Sequence, residues 1–363
     1  MKGFKFLVLG TIFAKLFGII RELLVLSEFG YSQEISSYFA LIAILGVLTF
    51  FSDTSIINSV AFPIWLSEKS VVIRLNYKII IFILIIPFLL FLYNYIIFDT
   101  CNNIHLMMVI SIIIIPLVIN SILYSVLIYL DKKKEFLLVA FLNGIVYLSL
   151  TFVLIEYGVI GLIYSRLIAI IFNVLIILTM VRKDMKIRFM DYRLKMDFVE
   201  KSIVRFVSVN NVLMFVLMTR IFSSLFFKDQ MALINYSMII ILTFYTVFSK
   251  NLNSQLIKGQ IETFKLGKKI KSLYWYMSVI FFLIMLLVFF AVPMEWAVHG
   301  YEVNMYMPLK LSLFLIIPVL VLGYLDLLRQ VNLSNKGRFN LSDFMPVTFG
   351  FVFYYVVIVS CFI

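Results

Sequence analysis

The chain has 363 residues, of which 63% are hydrophobic and only 14% charged, and its 31 Lys and Arg against 19 Asp and Glu leave a net charge of +12. Soluble domains run nearer ~45–50% apolar and ~25% charged, so the composition, with a mean hydropathy of +1.09, excludes a soluble globular protein. The positive balance does not mark a nucleic-acid binder, because its distribution follows membrane topology.

Apolar runs of about 20 residues predict spanning helices. In chain order they fall at 4–27, 35–66, 72–98, 104–130, 135–156, 158–181, 202–227, 231–250, 273–293, 308–329 and 344–363. The expected fold is therefore all-α and integral to the membrane, with about eleven transmembrane helices. The opening Met1-Lys2-Gly3-Phe4-Lys5 and the run behind it imitate a signal peptide. The run is too long, holds Lys15, Arg21 and Glu22 and lacks a small-residue cleavage site, so it reads as a retained first helix. The 35–66 run is too long for one straight crossing and is broken by Ser52-Asp53-Thr54-Ser55. Either it bends there toward a cavity, where irregular backbone is tolerated, or the helix ends near Asp53 and the rest lies along the surface. Pro87, Pro116 and Pro318 fall mid-helix, where kinks are expected.

With the amino terminus placed inside, 25 of the 31 Lys and Arg lie on the inner side, with only Lys228 and Lys310 outside. That bias sets the orientation, amino terminus cytoplasmic and carboxyl terminus outside. The basic stretches Arg182 to Arg205 and Lys250 to Lys271 read as topology signals and contacts to anionic membrane lipids. Cys101 and Cys361 carry no expected bridge, and there is no CxxC, HExxH, Walker-type loop or nucleophile constellation. No enzyme, metal or cofactor site is expected.

The remaining four basic residues, Lys15, Arg21, Arg166 and Arg220, lie within the spans. Each costs at least ~2.5–3.5 kcal/mol at bilayer depth on insertion scales. They are expected to face a water-filled cavity that receives something negative, and all four are candidate substrate-binding residues. The alternatives are that Arg21 pairs with Glu22 or Glu28, that Lys15 snorkels, and that Arg166 makes a structural contact. At 100° per residue Lys15 and Glu22 share a helix face while Arg21 turns about 120° from Lys15. Glu22 and Asp53 stand as the deepest acidic residues and as candidates for a coupling ion, a proton or sodium.

The chain also resembles itself at an offset of about 200 residues. Lys5-Phe6 with Arg21 answers to Arg205-Phe206 with Arg220. Leu48-Thr49-Phe50-Phe51 answers to Leu242-Thr243-Phe244-Tyr245, and Lys132 to Phe136 answers to Asn335 to Phe339. Two parallel lobes follow, residues 1–181 and 202–363, joined by a charged linker at 182–201, around a central cavity. By the same offset the 158–181 span should recur from about residue 358, so the second lobe is expected to lack one helix.

The first span reads Lys15-Leu16-Phe17-Gly18-Ile19-Ile20-Arg21-Glu22, then Phe29-Gly30. This resembles the basic-x-Leu-Gly-x-x-Arg-acidic and Phe-Gly pattern of the lipid II flippases, a branch of the multidrug/oligosaccharidyl-lipid/polysaccharide (MOP) exporter superfamily. Pro63, Phe136, Arg220 and Asn235-Tyr236 are placed similarly. The resemblance implies a flippase that moves polyprenyl-pyrophosphate-linked oligosaccharide by alternating access, with a glycan polymerase among its partners and a bacterial cytoplasmic membrane as its location. Departures shift the implied substrate away from lipid II. Ser36 and Ser37 stand where an acidic residue is expected, Thr49-Phe50 and Thr54-Ser55 replace paired arginines and Glu-Gly, and Met238-Ile239 replaces Asp-Arg. An O-antigen or capsule repeat unit is then the expected cargo, with guanidinium groups holding its phosphates bidentately. The competing readings are a drug/cation antiporter of the same superfamily, which would favour an acidic cavity, and an integral-membrane polysaccharide polymerase. The polymerase would need a larger external loop than Pro293 to Met307 provides.

Overall fold

The computed structural model describes residues 4–50, 65, 68–75, 104–189, 211–227, 230–246, 265–291, 295–298, 301–304 and 306–332, and helical residues between 346 and 357. The chain is an all-α multi-pass membrane protein with two short strand pairs. Helices α1 (Phe4–Phe29) and α2 (Gln33–Phe50) come first, followed by α3 (Ile104–Tyr129), α4 (Lys133–Leu154) and α5 (Gly158–Val181). Then come α6 (Asn211–Phe226), α7 (Met231–Phe244), α8 (Lys265–Ala291) and α9 (Tyr306–Asn332). Three described stretches are long and apolar enough to cross a bilayer: Ser111–Tyr129, Lys133–Val181 and Tyr306–Asp326. Pro116 lies inside α3 and Pro318 inside α9.

One expectation is overturned at the start of the 72–98 run. Val71–Leu75 is a strand, β1, paired in parallel with β2 (Met185–Phe189), so that Val72 stands opposite Lys186 and Ile73 opposite Ile187. The β-branched Val71-Val72-Ile73 favours extended backbone, and Val71 and Val72 are buried. Residues 76–98 lie outside the described ones. A second, antiparallel pair, β3 (Glu295–Val298) and β4 (Tyr301–Asn304), occupies the connection before α9.

By internal packing the chain divides into two units. One holds residues 2–21 and 41–199, the other Met1, residues 22–40 and 200–363. Both α1 and α2 contribute to each: α1 changes unit between Arg21 and Glu22, and α2 between Ala40 and Leu41.

In the first unit α5 is clasped by α3 and α4. A 3-10 turn over Ile155–Tyr157 reverses α4 into α5, and a Cβ built on Gly161 would overlap the carbonyl oxygen of Leu154, so the hairpin closes only around a residue without a side chain. Thr151 Oγ1 and Ser165 Oγ join α4 to α5 at 3.3 Å. Asn173 of α5 donates through Nδ2 to Asn120 Oδ1 at 2.8 Å and Tyr124 OH at 3.2 Å on α3. Such buried polar contacts hold helices together in lipid, where apolar burial alone gives no preference for protein over acyl chain. Beyond α3, Asp131 adopts φ 61, a left-handed turn that Asp tolerates. Lys133 pairs with Asp131 at 2.7 Å. Lys132 reaches the other end of the layer, where Nζ donates to Met180 O at 2.7 Å and Asp184 Oδ2 at 2.6 Å and so closes the carboxyl end of α5.

The second unit is built on α6, α7 and α9, with Phe215, Met238, Ile241, Leu315 and Tyr354 fully buried at its centre. Small polar side chains let α7 and α9 approach: Ser237 Oγ donates to Pro308 O at 3.1 Å, and Ser312 Oγ to Ser237 O at 3.2 Å. Ser223 and Tyr354 are hydrogen-bonded between α6 and the last helical residues.

Candidate functional site

The face of α1 that carries Phe13, Phe17 and Arg21 repeats every four residues and lies along α4. Phe13 and Phe17 set their rings edge-on to Phe141 at 5.5 and 5.6 Å. Phe17 also fills the space left by Gly144, where any Cβ would clash with its ring. One turn further Arg21 meets Tyr147. Its Nη1 donates to the Tyr147 hydroxyl, and the guanidinium carbon stands 4.4 Å from the centre of the Tyr147 ring. A phenol oxygen and a π face together solvate a cation that the bilayer would reject. Tyr147 of α4 is a partner that the expected alternatives for Arg21, Glu22 and Glu28, did not include.

The other candidates are placed as follows. Lys15 is half-buried and lies about 200° round α1 from Phe13 and Phe17, off the face that packs on α4. Glu22 is buried at 7% exposure and groups with the second unit. Arg220 of α6 belongs to that unit also, and its Nη2 lies 3.5 Å from Asn235 Oδ1 on α7, at the long limit of a hydrogen bond. Arg166 is half-buried in α5 beside the Thr151–Ser165 contact and has no hydrogen-bond or ionic partner among the described residues. Asp53 lies outside the described residues, as do both cysteines and Pro87. No group of three His, Cys, Asp or Glu is found among the described residues.

Glu22 is not the only buried acidic residue among the described ones. Asp326 of α9 is 0% exposed, although in the sequence it reads as the end of an ordinary span. Its Oδ1 accepts from the Asn211 backbone N–H at 2.7 Å and from Asn211 Nδ2 at 2.6 Å, and its Oδ2 from the Val212 N–H at 3.3 Å and the Tyr245 hydroxyl at 3.5 Å. The carboxylate thus caps the first turn of α6, where free N–H groups and the helix dipole both favour negative charge. A sequence signal exists: an acidic residue inside an apolar run predicts a partner. Nothing in the sequence names the partner 115 residues away.

Comparison with solved structures turns on this arrangement of helices. A MATE protein carrying a single proline-to-alanine substitution matches with a TM-score of 0.54, covering 99% of this chain and 96% of its own at 13% identity. The fold is that of MATE transporters. A second MATE structure, in complex with MaD5, matches at a TM-score of 0.52 over 99% of this chain and 95% of its own, at 14% identity. A third, described as an outward-facing multidrug resistance MATE family transporter of the MOP superfamily, is found at a TM-score of 0.48, 14% identity and coverages of 99% and 92%. No protein-family model and no curated protein matches the chain. At these identities the MATE likeness is one of fold. It does not single out the polysaccharide flippases.

Proposed function

We propose that the chain is a secondary transporter that exchanges an ion for a small organic solute bearing an anionic group. The observation that carries this reading is the end-to-end MATE fold, which supports ion-coupled antiport better than the transfer of a lipid-linked sugar. The charge of the solute is argued from Arg21, Lys15, Arg220 and Arg166, which a cationic drug would meet at a cost. In this reading residues 1–181 and 202–363 are two lobes of eleven spans joined by 182–201, and Glu22 and Asp53 hold the coupling proton or sodium. Arg21 rests on Tyr147 until a carboxylate or phosphate offers stronger, charge-assisted hydrogen bonds. A second reading, the oligosaccharide flippase, is favoured by one specific observation, the Lys15 to Glu22 motif of the first span.

Reconstitution in liposomes under an imposed proton or sodium gradient tests both. Carboxyfluorescein represents an anionic solute, ethidium a cationic one, and a fluorescent polyprenyl-pyrophosphate oligosaccharide the flippase cargo. The proposal expects gradient-driven movement of the anionic dye. Arg21→Ala should reduce that movement about tenfold or more, the loss expected for one charge-assisted contact, while Tyr147→Phe retains it. Movement of ethidium alone would refute the anionic assignment, and movement of the oligosaccharide alone would replace it by the flippase.

A further inference from the structure

The two strands of the parallel pair β1–β2 are covered unequally. Successive strand residues point to opposite faces, and Val71 and Val72 are 2% and 7% exposed, so β1 is covered on both. Trp65 adds to that cover: its Nε1 donates to Val72 O at 3.3 Å, while the Tyr129 hydroxyl donates to Trp65 O at 2.7 Å. On β2 the neighbouring residues Lys186 and Ile187 are both exposed, Ile187 at 53%. That strand is covered on neither face there, and β1 is its only strand neighbour among the described residues. β2 is therefore an open edge, a template on which a further strand can pair.

The chemistry of this edge narrows what can lie against it. Arg182 and Lys183, which follow the end of α5, are exposed, and Asp184 is tied to Lys132 at 2.6 Å, so the local balance is positive. One face of β2 presents a cation at Lys186 and the other an aliphatic side chain at Ile187. A second copy of the chain would bring two Lys-Ile-Arg strands together, like charge against like, which disfavours the pairing. Acyl chains cannot take up the backbone N–H and C=O groups of an open edge. A peptide strand can, and the two faces of β2 specify it: acidic side chains toward Lys186, aliphatic ones toward Ile187.

We propose that β2 is a docking edge for an extended segment of a partner protein, with acidic and aliphatic residues alternating along it, which joins the sheet as a third strand. Main-chain hydrogen bonds supply the attraction and alternate side chains the selectivity, as in other strand additions. The charge bias places the end of α5 on the expected inner side, so the partner is sought in the cytoplasm. Such a contact is independent of what the protein transports.

The anisotropy of a fluorescent peptide of alternating Glu and Val reads the contact on the full chain in nanodiscs of neutral phosphatidylcholine. Saturable binding is expected, and Lys186→Glu should weaken it about tenfold or more, as the loss of a charge-assisted contact does. The same peptide methylated on its backbone nitrogens keeps every charge but cannot form a ladder, and it should bind wild type about tenfold more weakly or worse. No binding of the plain peptide, or equal binding of the methylated one, would overturn the strand addition, and this comparison needs no variant of the protein. Ile187→Cys, in a Cys101→Ser, Cys361→Ser background, tests the membrane as the occupant. It should react with a polar maleimide in neutral discs and in discs containing phosphatidylglycerol, and the Glu–Val peptide should protect it in both. Shielding by phosphatidylglycerol alone, with no effect of the peptide, would assign the face to anionic lipid and overturn the proposal.

Discussion

Asp326 illustrates how a charge becomes tolerable inside an apolar span. A fully buried carboxylate would neutralise or unfold its surroundings if left alone. The first turn of α6 presents it with backbone N–H groups that have no intrahelical acceptor, and two costly sets of groups satisfy one another. Asp326→Ala leaves the N–H groups of Asn211 and Val212 facing apolar side chains and should lower stability by about 2–4 kcal/mol, given the cost of buried unsatisfied donors. Asp326→Asn retains one acceptor oxygen and should cost about half as much. Thermal unfolding in detergent separates the two, and equal midpoints for wild type and Asp326→Ala would show that the cap contributes nothing. At this scale the sequence reveals which residues are out of place and not who receives them. Arg21 and Arg220 are conspicuous because they are charged in apolar runs. Tyr147, which meets Arg21, is an ordinary residue in an ordinary helix, and Asn235, though part of the motif beside Arg220, becomes its partner only through packing.

Elements are legible where length and hydropathy act alone. The 158–181 run coincides with α5, and 104–130 and 135–156 differ from α3 and α4 by one or two residues. β1 escapes such a reading because Val71-Val72-Ile73 opens an apolar run, and hydropathy does not distinguish a buried strand from the start of a helix. Only the partner strand at Met185–Phe189, more than a hundred residues on, decides it. The hairpin of α4 and α5 is legible in its limits and not in its tightness, which depends on Gly161. Gly161→Val should force the first turn of α5 away from the Leu154 carbonyl and cost about 1–3 kcal/mol or more, as overpacking does. Limited proteolysis near Glu156, together with the unfolding midpoint, would register the change. A Gly161→Val protein as stable and protease-resistant as wild type would mean that the hairpin relaxes around an added side chain.

For the whole molecule, the expected two-lobe plan comes from an internal offset and the expected orientation from charge, and these rest on different physics. A repeat offset is a signal of common packing; a charge bias is a signal of how a chain inserts. Packing adds a feature that neither contains, because residues 22–40 group with the C-terminal half although they are far from it in sequence. Sequence separation carries no information about such a grouping, within which Tyr236 of α7 meets Tyr31 at 6.1 Å and Phe39 at 5.4 Å between ring centroids. Orientation remains the expectation with the sharpest consequence, since the parity of the spans links the two ends of the chain. If Lys2 and Lys5 are held inside by the negative inner surface and eleven crossings follow them, the carboxyl terminus is expected outside. A periplasm-dependent phosphatase fused after Ile363 should be active and one inserted near Lys195 inactive, while a fluorescent reporter that matures only in the cytoplasm should give the reverse at both sites. Activity at Lys195 would mean that the basic 182–201 segment faces outside, against the strongest charge signal in the chain. An inactive phosphatase after Ile363, with a fluorescent reporter there, would make the number of crossings even, and the region between Asn332 and Ile363 would be the first place to look for the change.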